Sequence, residues 1–521
     1  MHSQAIPAAL VLGLLAVIVV APLVGLLRLG AMPGFESGDL QFWQSPYIRR
    51  VLAFSLWQAL LSTLCSVLPA ILVARAFALQ PSFPLRGFLL RLFALPLVVP
   101  AVVAVMGVVS VYGSDGWMPL GRSLYGLGGT LLAHVFFNLP LAVRLMLPYW
   151  QAIPQRHWQL AEQLDMNSWQ RWRFLEWPVL REGLPGVMLL VFMLCLTSFA
   201  VVLTLGGGPR STTLEVAIYQ SLRFDFDPVR AVVLAMLQLC LCLLVAGLTL
   251  KMQRLPEVEI SLDRPVSPSA GIFRPLQLAL IFLAAVYVGL PLLSMLLDAL
   301  TGPLSKVFSG TLLWRSAAKT LLIGLLAASL SVSAGWFILR YSASLALAGQ
   351  PGRARLIELA GSLVYVVPPL VIGTGMFVLL SPHVDVFSWV YPIVIVVNAL
   401  MGMPFVIRTL GPALRQNHAR YHLLCQSLAL TGWNRFRYLE WPLLRRPMGL
   451  AMALVAALAM GDLGVIALFG TPETATLTLL IYQLLGAYLI PQATVTALFL
   501  LLLCLTVFWL LERGIGGRLD D

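Results

Sequence analysis

Long apolar runs alternate with short polar segments over the whole chain. Twelve such runs stand near 7–27, 51–78, 88–112, 129–149, 186–206 and 228–250, then 273–297, 317–340, 357–380, 388–408, 448–470 and 492–511. About 20 apolar residues in a helix cross a bilayer. Backbone amides in lipid find no water, so each run is expected to be helical. The run at 7–27 has no basic segment ahead of it, no small-residue cleavage site, and a counterpart at 273–297. It reads as a retained span and not as a signal peptide.

The runs fall into two sets of six, and the sequence repeats between them. Leu175-Glu176-Trp177-Pro178-Val179-Leu180 returns 264 positions later as Leu439-Glu440-Trp441-Pro442-Leu443-Leu444. Trp169 and Trp433 precede the two copies at one offset, as do Pro140/Arg144 and Pro404/Arg408. Downstream, Ile218-Tyr219-Gln220 matches Ile481-Tyr482-Gln483. The expected fold class is an all-α membrane protein of about twelve transmembrane helices in two tandem six-helix halves. The halves are 1–255 and 271–521, with a polar linker at 256–270 that holds Pro256, Pro265 and Pro268. Parallel repeats with an even number of spans are related by an axis along the membrane normal, which makes their interface the natural pathway.

Composition supports this reading. Sixty per cent of the residues are hydrophobic, 11% are charged, and mean hydropathy is +0.90. A soluble chain usually carries about a quarter charged residues. The net charge of +12 invites a nucleic-acid reading, but its distribution argues against one. Twenty-four of the 34 Lys and Arg residues lie in alternate loops, the positive-inside bias that puts both termini in the cytoplasm. No nucleic-acid partner is expected. Five of the six cysteines lie in apolar runs and Cys425 in a polar loop, with no metal or pairing spacing, so free thiols are expected.

The two long polar loops, about 150–185 and 414–447, carry little besides the repeated motif. A short helix is expected at 156–165, with Trp158, Ala161 and Leu164 on one stripe; His422, Cys425 and Leu428 hold those places in the second copy. A helix so short needs a surface to lie against. Pro178 and Pro442 fit the first turn of the span that follows.

These loops resemble the cytoplasmic Glu-Ala-Ala loop of bacterial ABC importer permeases. That loop reads Glu-Ala-Ala, three residues, Gly, nine residues, Ile, one residue, Leu-Pro. Counting back from Pro178 places Gln159, Leu160 and Ala161 on the triplet, Asp165 on the Gly, Leu175 on the Ile and Trp177-Pro178 on the Leu-Pro. From Pro442 the triplet is Leu423, Leu424 and Cys425, the Gly position is Ala429, and Trp441-Pro442 close the pattern. Neither triplet has its Glu, and neither Gly position holds a glycine. End to end, the chain is similar to the fused two-half permeases of the iron, polyamine and thiamine branch. The stretches that carry this are 132–140, 175–178, Ser198–Pro209 and Gly461–Gly470. The resemblance implies a type I importer permease in a bacterial inner membrane, with thiamine or thiamine phosphates as cargo. Ferric iron or a polyamine is the alternative within the class. It also implies two copies of a cytoplasmic ATPase on the two loops and a periplasmic substrate-binding protein on the other face. Arg171, Arg173, Glu176, Arg435, Arg437 and Glu440 are expected as rim contacts of that docking.

No nucleotide-binding G-x-x-x-x-G-K-[ST] run occurs, and the chain has three lysines, Lys251, Lys306 and Lys319. No enzymatic activity and no bound cofactor are expected; ATP and magnesium belong to the partner. Asp462 is the clearest charge inside an apolar run, and Ser198 is its equivalent in the first half. Intramembrane charge points to a pathway. A carboxylate near Phe199, Trp336 or Tyr365 would suit a flat cation; Asp462 could equally satisfy backbone between Gly461 and Gly464. Gly206-Gly207-Gly208-Pro209 reads as a turn or part of an outer gate. Asp225 and Asp227 are expected on the outer face. A twelve-span secondary transporter is the competing class, and it would need several buried coupling groups where the sequence offers essentially one.

Overall fold

The computed structural model describes residues 2–27, 45–120, 124–252, 274–363 and 366–517. Among them every regular element is a helix. The first half contains α1 (His2–Leu27), α2 (Pro46–Leu79), α3 (Ala101–Tyr112), α4 (Leu127–Gln151), α5 (Gln155–Gln163), α6 (Trp177–Leu196), α7 (Leu214–Arg223) and α8 (Pro228–Met252). The second contains α9 (Arg274–Thr301), α10 (Thr311–Leu347), α11 (Pro369–Leu380), α12 (Val390–Ser427), α13 (Trp441–Gly461), α14 (Leu477–Gly486) and α15 (Ile490–Gly516). The linker expected at 256–270 lies outside the described residues.

Among the described residues ten segments are long and apolar enough to cross a membrane. The remaining two spans are broken where continuous helices were expected. The run at 88–112 is divided between Arg86–Leu92 and α3, and the run at 357–380 between Pro351–Leu363 and α11. Pro100 and Pro368 stand at the N-caps of α3 and α11. A proline disfavours helical backbone in the residue before it and supplies no N–H, so each helix restarts at that point. The runs at 186–206 and 448–470 also break. They resume as Ala200–Leu205 and Gly464–Phe469 after Thr197–Phe199 and Asp462–Leu463.

The halves exchange their first helices. Helix α1 packs on α10 and α11 of the second half, and α9 packs on α2 and α3 of the first. The crossings are close because each uses a glycine. A Cβ on Gly107 of α3 would lie 2.6 Å from the carbonyl oxygen of Pro291, and one on Gly375 of α11 would lie 2.6 Å from that of Pro22. Reciprocal contacts of this kind identify an approximate two-fold axis between the halves. The largest buried cluster draws on both, from Ile48 and Val216 to Val394 and Val507.

Helices α2 and α10 run 34 and 37 residues. At 1.5 Å per residue both exceed about 50 Å, well beyond a hydrocarbon core of about 30 Å. Their last turns therefore project to the face that carries the two repeated loops, and each ends beside one loop.

Candidate coupling loops and translocation path

The two loops are built alike from unlike sequences. In the first, α5 stands apart from α4 behind Pro154. In the second, His418 takes that place and α12 continues unbroken to Ser427. Both helices end in the same left-handed turn. Asp165 has φ of 46° and Ala429 has φ of 49°, at the two positions where the family pattern has glycine. The amides of Met166 and Leu430 close back on the carbonyls of Ala161 and Cys425 at 3.0 and 2.9 Å. Those of Asp165 and Ala429 reach Glu162 and Gln426 at 3.0 and 3.2 Å. This is the paired bonding of a Schellman ending, and it forms here without a glycine.

Next comes one widened π turn, at Trp172–Glu176 and again at Phe436–Glu440. In each copy the next tryptophan amide reaches back five residues, Trp177 to Trp172 and Trp441 to Phe436. Pro178 and Pro442 follow directly. A proline ring inside a regular helix would meet the carbonyl four residues back, and the wide turn occupies that point of interruption.

The repeated glutamate is the centre of each loop. Glu176 is 1% exposed and accepts from Arg75 of α2 through both oxygens, Nε at 2.6 Å and Nη2 at 2.8 Å. Trp150 Nε1 adds a third bond at 2.9 Å. Glu440 is 2% exposed and sits among Arg340 of α10 at 3.5 Å, Arg435 at 2.9 Å and His418 at 3.5 Å. The first arrangement is a two-pronged fork; the second holds its charges close with poorer hydrogen-bond alignment. Aromatic rings cover both. Trp172 lies 5.9 Å from Trp177 with the Arg75 guanidinium over it at 5.6 Å. Phe436 lies 5.1 Å from Trp336 and 5.9 Å from Trp441, with Arg340 over Trp336 at 5.1 Å.

Several expectations are corrected by this geometry. Glu176, Glu440 and Arg435 are not rim groups: each is buried within the chain's own bundle. The stripe expected to face a partner is divided. Trp158, Ala161 and Cys425 turn inward at 7%, 3% and 5% exposure. Leu160 and Leu164 of the first copy, and Leu423, Leu424 and Leu428 of the second, are exposed. Gln159 is also exposed. Trp336 belongs to the second loop's aromatic cluster, at the opposite end of α13 from Asp462, and not to a pathway group. Tyr365 lies outside the described residues.

At the breaks after α6 and α13 the halves meet. Asp462 Oδ1 accepts from the Gly464 amide at 3.0 Å, and the Asp462 carbonyl accepts from Thr478 Oγ1 at 2.8 Å. Phe199 of the first half stands against this break: a Cβ on Gly464 would lie 3.9 Å from its ring and 3.4 Å from Asp462 Oδ1. Gly461 abuts Pro100, its would-be Cβ 3.1 Å away. Ser198 is bonded through His134, whose two ring nitrogens lie 2.8 Å from Ser198 Oγ and 2.8 Å from Ser62 Oγ. A neutral imidazole has one donor and one acceptor, and two hydroxyls can satisfy both. Asp462 and Phe199 thus come together, Ser198 sits within its own half, and Trp336 lies elsewhere.

The expectation of essentially one buried ionisable group is corrected as well. Glu215 is 1% exposed, with Gln238 Nε2 3.4 Å from Oε1, and His134 is 3% exposed. Glu215 sits one position after Leu214 at the start of a short helix that reads as a loop in the sequence. Arg75 and Arg340 were legible only as two of the few charges at the ends of apolar runs. The cysteines are free among the described residues, although Cys65 and Cys240 are exposed.

Two bundles with exchanged first helices and one motif loop on each describe an importer permease. The chain belongs to the family of binding-protein-dependent transport system inner membrane components, which matches residues 66–252 and 353–513, one stretch in each half. It is similar throughout to the thiamine transport system permease protein ThiP of Brucella abortus (strain 2308), with 44% identity over 98% of this chain and 96% of that protein. The proteins of that name from Escherichia coli (strain K12) and Haemophilus influenzae share 42% and 40% identity, each over 91% of this chain and 90% of theirs.

Proposed function

We propose that the chain is the membrane-spanning subunit of an ATP-driven importer of thiamine or its phosphates. Support for the cargo comes from the near full-length likeness to permeases named for thiamine transport. Support for the drive comes from the two anchored loops. Each has a buried ion pair joining it to a long helix of its own half and an exposed row of leucines facing away. Two ATPase copies would grip these leucine faces, Leu160 with Leu164 and Leu424 with Leu428. Movement of a gripped loop would then pass through Glu176 to Arg75 and through Glu440 to Arg340, into α2 and α10. Packed helices of this kind shift as units.

The Lys and Arg bias supports a cytoplasmic loop face with both termini on the same side. A periplasmic binding protein would deliver cargo to the far face. Asp462, with Phe199 beside it at the interface of the halves, would offer a carboxyl group and an aromatic edge to a cationic ring passing between them. ATP and magnesium would be bound by the partner.

The carrying observation is the duplicated Arg–Glu anchor beneath an exposed leucine face. The reading is tested by purifying the permease with its ATPase in lipid discs and adding binding protein loaded with thiamine. ATP hydrolysis should rise several-fold with loaded binding protein. Failure of the ATPase to co-purify, or hydrolysis indifferent to the loaded protein, contradicts it.

A further inference from the structure

We infer that Tyr219 and Tyr482 form the gate that closes the pathway toward the far face. They hold the same place in the two copies of Ile-Tyr-Gln, and their side chains lie near enough to interact with each other. A residue can touch its own repeat mate only where the two-fold axis runs. The pair therefore stands on the axis, where a path between the halves must pass.

Its depth follows from the short helices that carry it. Helix α7 starts inside the bundle, where the Leu214 amide donates to Ser55 Oγ of α2 at 2.9 Å. Helix α14 starts alike, the Leu477 amide donating to Thr320 Oγ1 of α10 at 2.9 Å. Both climb away from the loop face and end at exposed tips, at Phe226 and Tyr488, 81% and 88% exposed. Tyr219 lies five residues above Leu214, and Tyr482 five above Leu477, so the pair sits beyond the break that holds Asp462. Side chains fill the surroundings. Phe199 and Phe224 meet the Tyr219 ring edge-on at 5.4 and 5.6 Å. A second latch crosses beside it, Arg223 Nη2 donating to the Gly470 carbonyl at 3.0 Å.

The closure consists of side-chain contacts between the halves and involves no continuous backbone. It can part when the halves rotate and re-form when they return. The inference rests on the reading of an ATP-driven permease, and it is independent of the cargo.

The test uses the complex of permease and ATPase in lipid discs, with the native cysteines replaced and Tyr219→Cys combined with Tyr482→Cys. A reducible bifunctional thiol reagent, with a spacer as long as two tyrosine side chains, should join the sites in the nucleotide-free complex. The yield should fall several-fold when the complex is trapped with ATP and vanadate. Equal yield in both states overturns the inference. A second variant keeps the rings: Tyr219→Phe with Tyr482→Phe should raise ATP hydrolysis several-fold in the absence of binding protein, and unchanged hydrolysis overturns it too. Both readouts stand even if thiamine is not the cargo. Loss of ATPase co-purification in the parent complex would instead count against the proposed function.

Discussion

Arg75 grips Glu176 with both prongs of its guanidinium, at 2.6 and 2.8 Å, across 101 residues of sequence. That contact fastens the first loop to the helix it would move. A carboxylate so deeply buried is tolerable only while its charge is matched, and removing one member of such a pair costs about 3–5 kcal/mol. Arg75→Ala should therefore lower the thermal midpoint of the purified permease markedly and reduce coupled transport further. Glu176→Gln, which leaves a neutral acceptor for Trp150, should be milder in stability yet still uncouple. Fluorescence-detected unfolding checks the first point; an unchanged midpoint in Arg75→Ala would remove the anchor from the account.

The left-handed residues give a gain instead of a loss. Ala429 holds φ of 49°, where a Cβ costs roughly 1–2 kcal/mol and glycine nothing. Ala429→Gly should raise stability by about 1 kcal/mol. Asp165→Gly should gain less, because Asp is among the residues that visit this region. A fall in the unfolding midpoint for Ala429→Gly would show that the turn is not held as described.

Leu160 and Leu424 are 52% and 46% exposed on the loops. Leu160→Glu together with Leu424→Glu should abolish co-purification of the ATPase while membrane insertion and the unfolding midpoint stay as in the parent. Ala161→Glu, by contrast, buries a charge at a position 3% exposed and should destabilise the permease itself. Normal ATPase recovery with the leucine double variant would refute docking on this face.

Asp462→Asn keeps the acceptor that Gly464 uses and deletes the charge. Assembly and ATPase co-purification should be preserved, and uptake of a cationic cargo should fall at least about tenfold, the effect of losing about 1.4 kcal/mol of attraction. Full uptake in this variant would reduce Asp462 to a cap on the helix break.

Gly375 and Gly107 mark the crossings of the exchanged helices. A methyl group at either would press on a carbonyl oxygen 2.6 Å away, an overpacking that typically costs about 1–3 kcal/mol. Gly375→Ala and Gly107→Ala should each lower the unfolding midpoint, whereas Gly352→Ala, with open space around it, should not.

Much of this fold was legible because a bilayer leaves few choices. Apolar length gave the spans, the Leu-Glu-Trp-Pro repeat gave the two halves, and arginine placement gave the orientation proposed above. The breaks at Pro100 and Pro368 were less visible, since apolar residues run on across them and periodicity registers no interruption. The roles of Glu176 and Glu440 were misread for a related reason. A glutamate in a polar loop resembles a solvated one until its arginine, 101 residues away in the first copy, is brought beside it. Tyr219 and Tyr482 stood out as a repeat, but their meeting depends on an axis that no local pattern encodes. Trp336 was assigned to the pathway for its aromatic character alone, and the packing of α10 on the second loop placed it elsewhere.

The central claim is that this chain carries cargo when an ATPase moves its two loops. Proteoliposomes holding the permease with its ATPase, supplied with binding protein outside and ATP inside, measure this most directly through uptake of labelled thiamine. Accumulation that requires ATP, survives collapse of the proton gradient and disappears in Arg75→Ala combined with Arg340→Ala is the predicted result. Accumulation driven by a proton gradient with no ATPase present would contradict it.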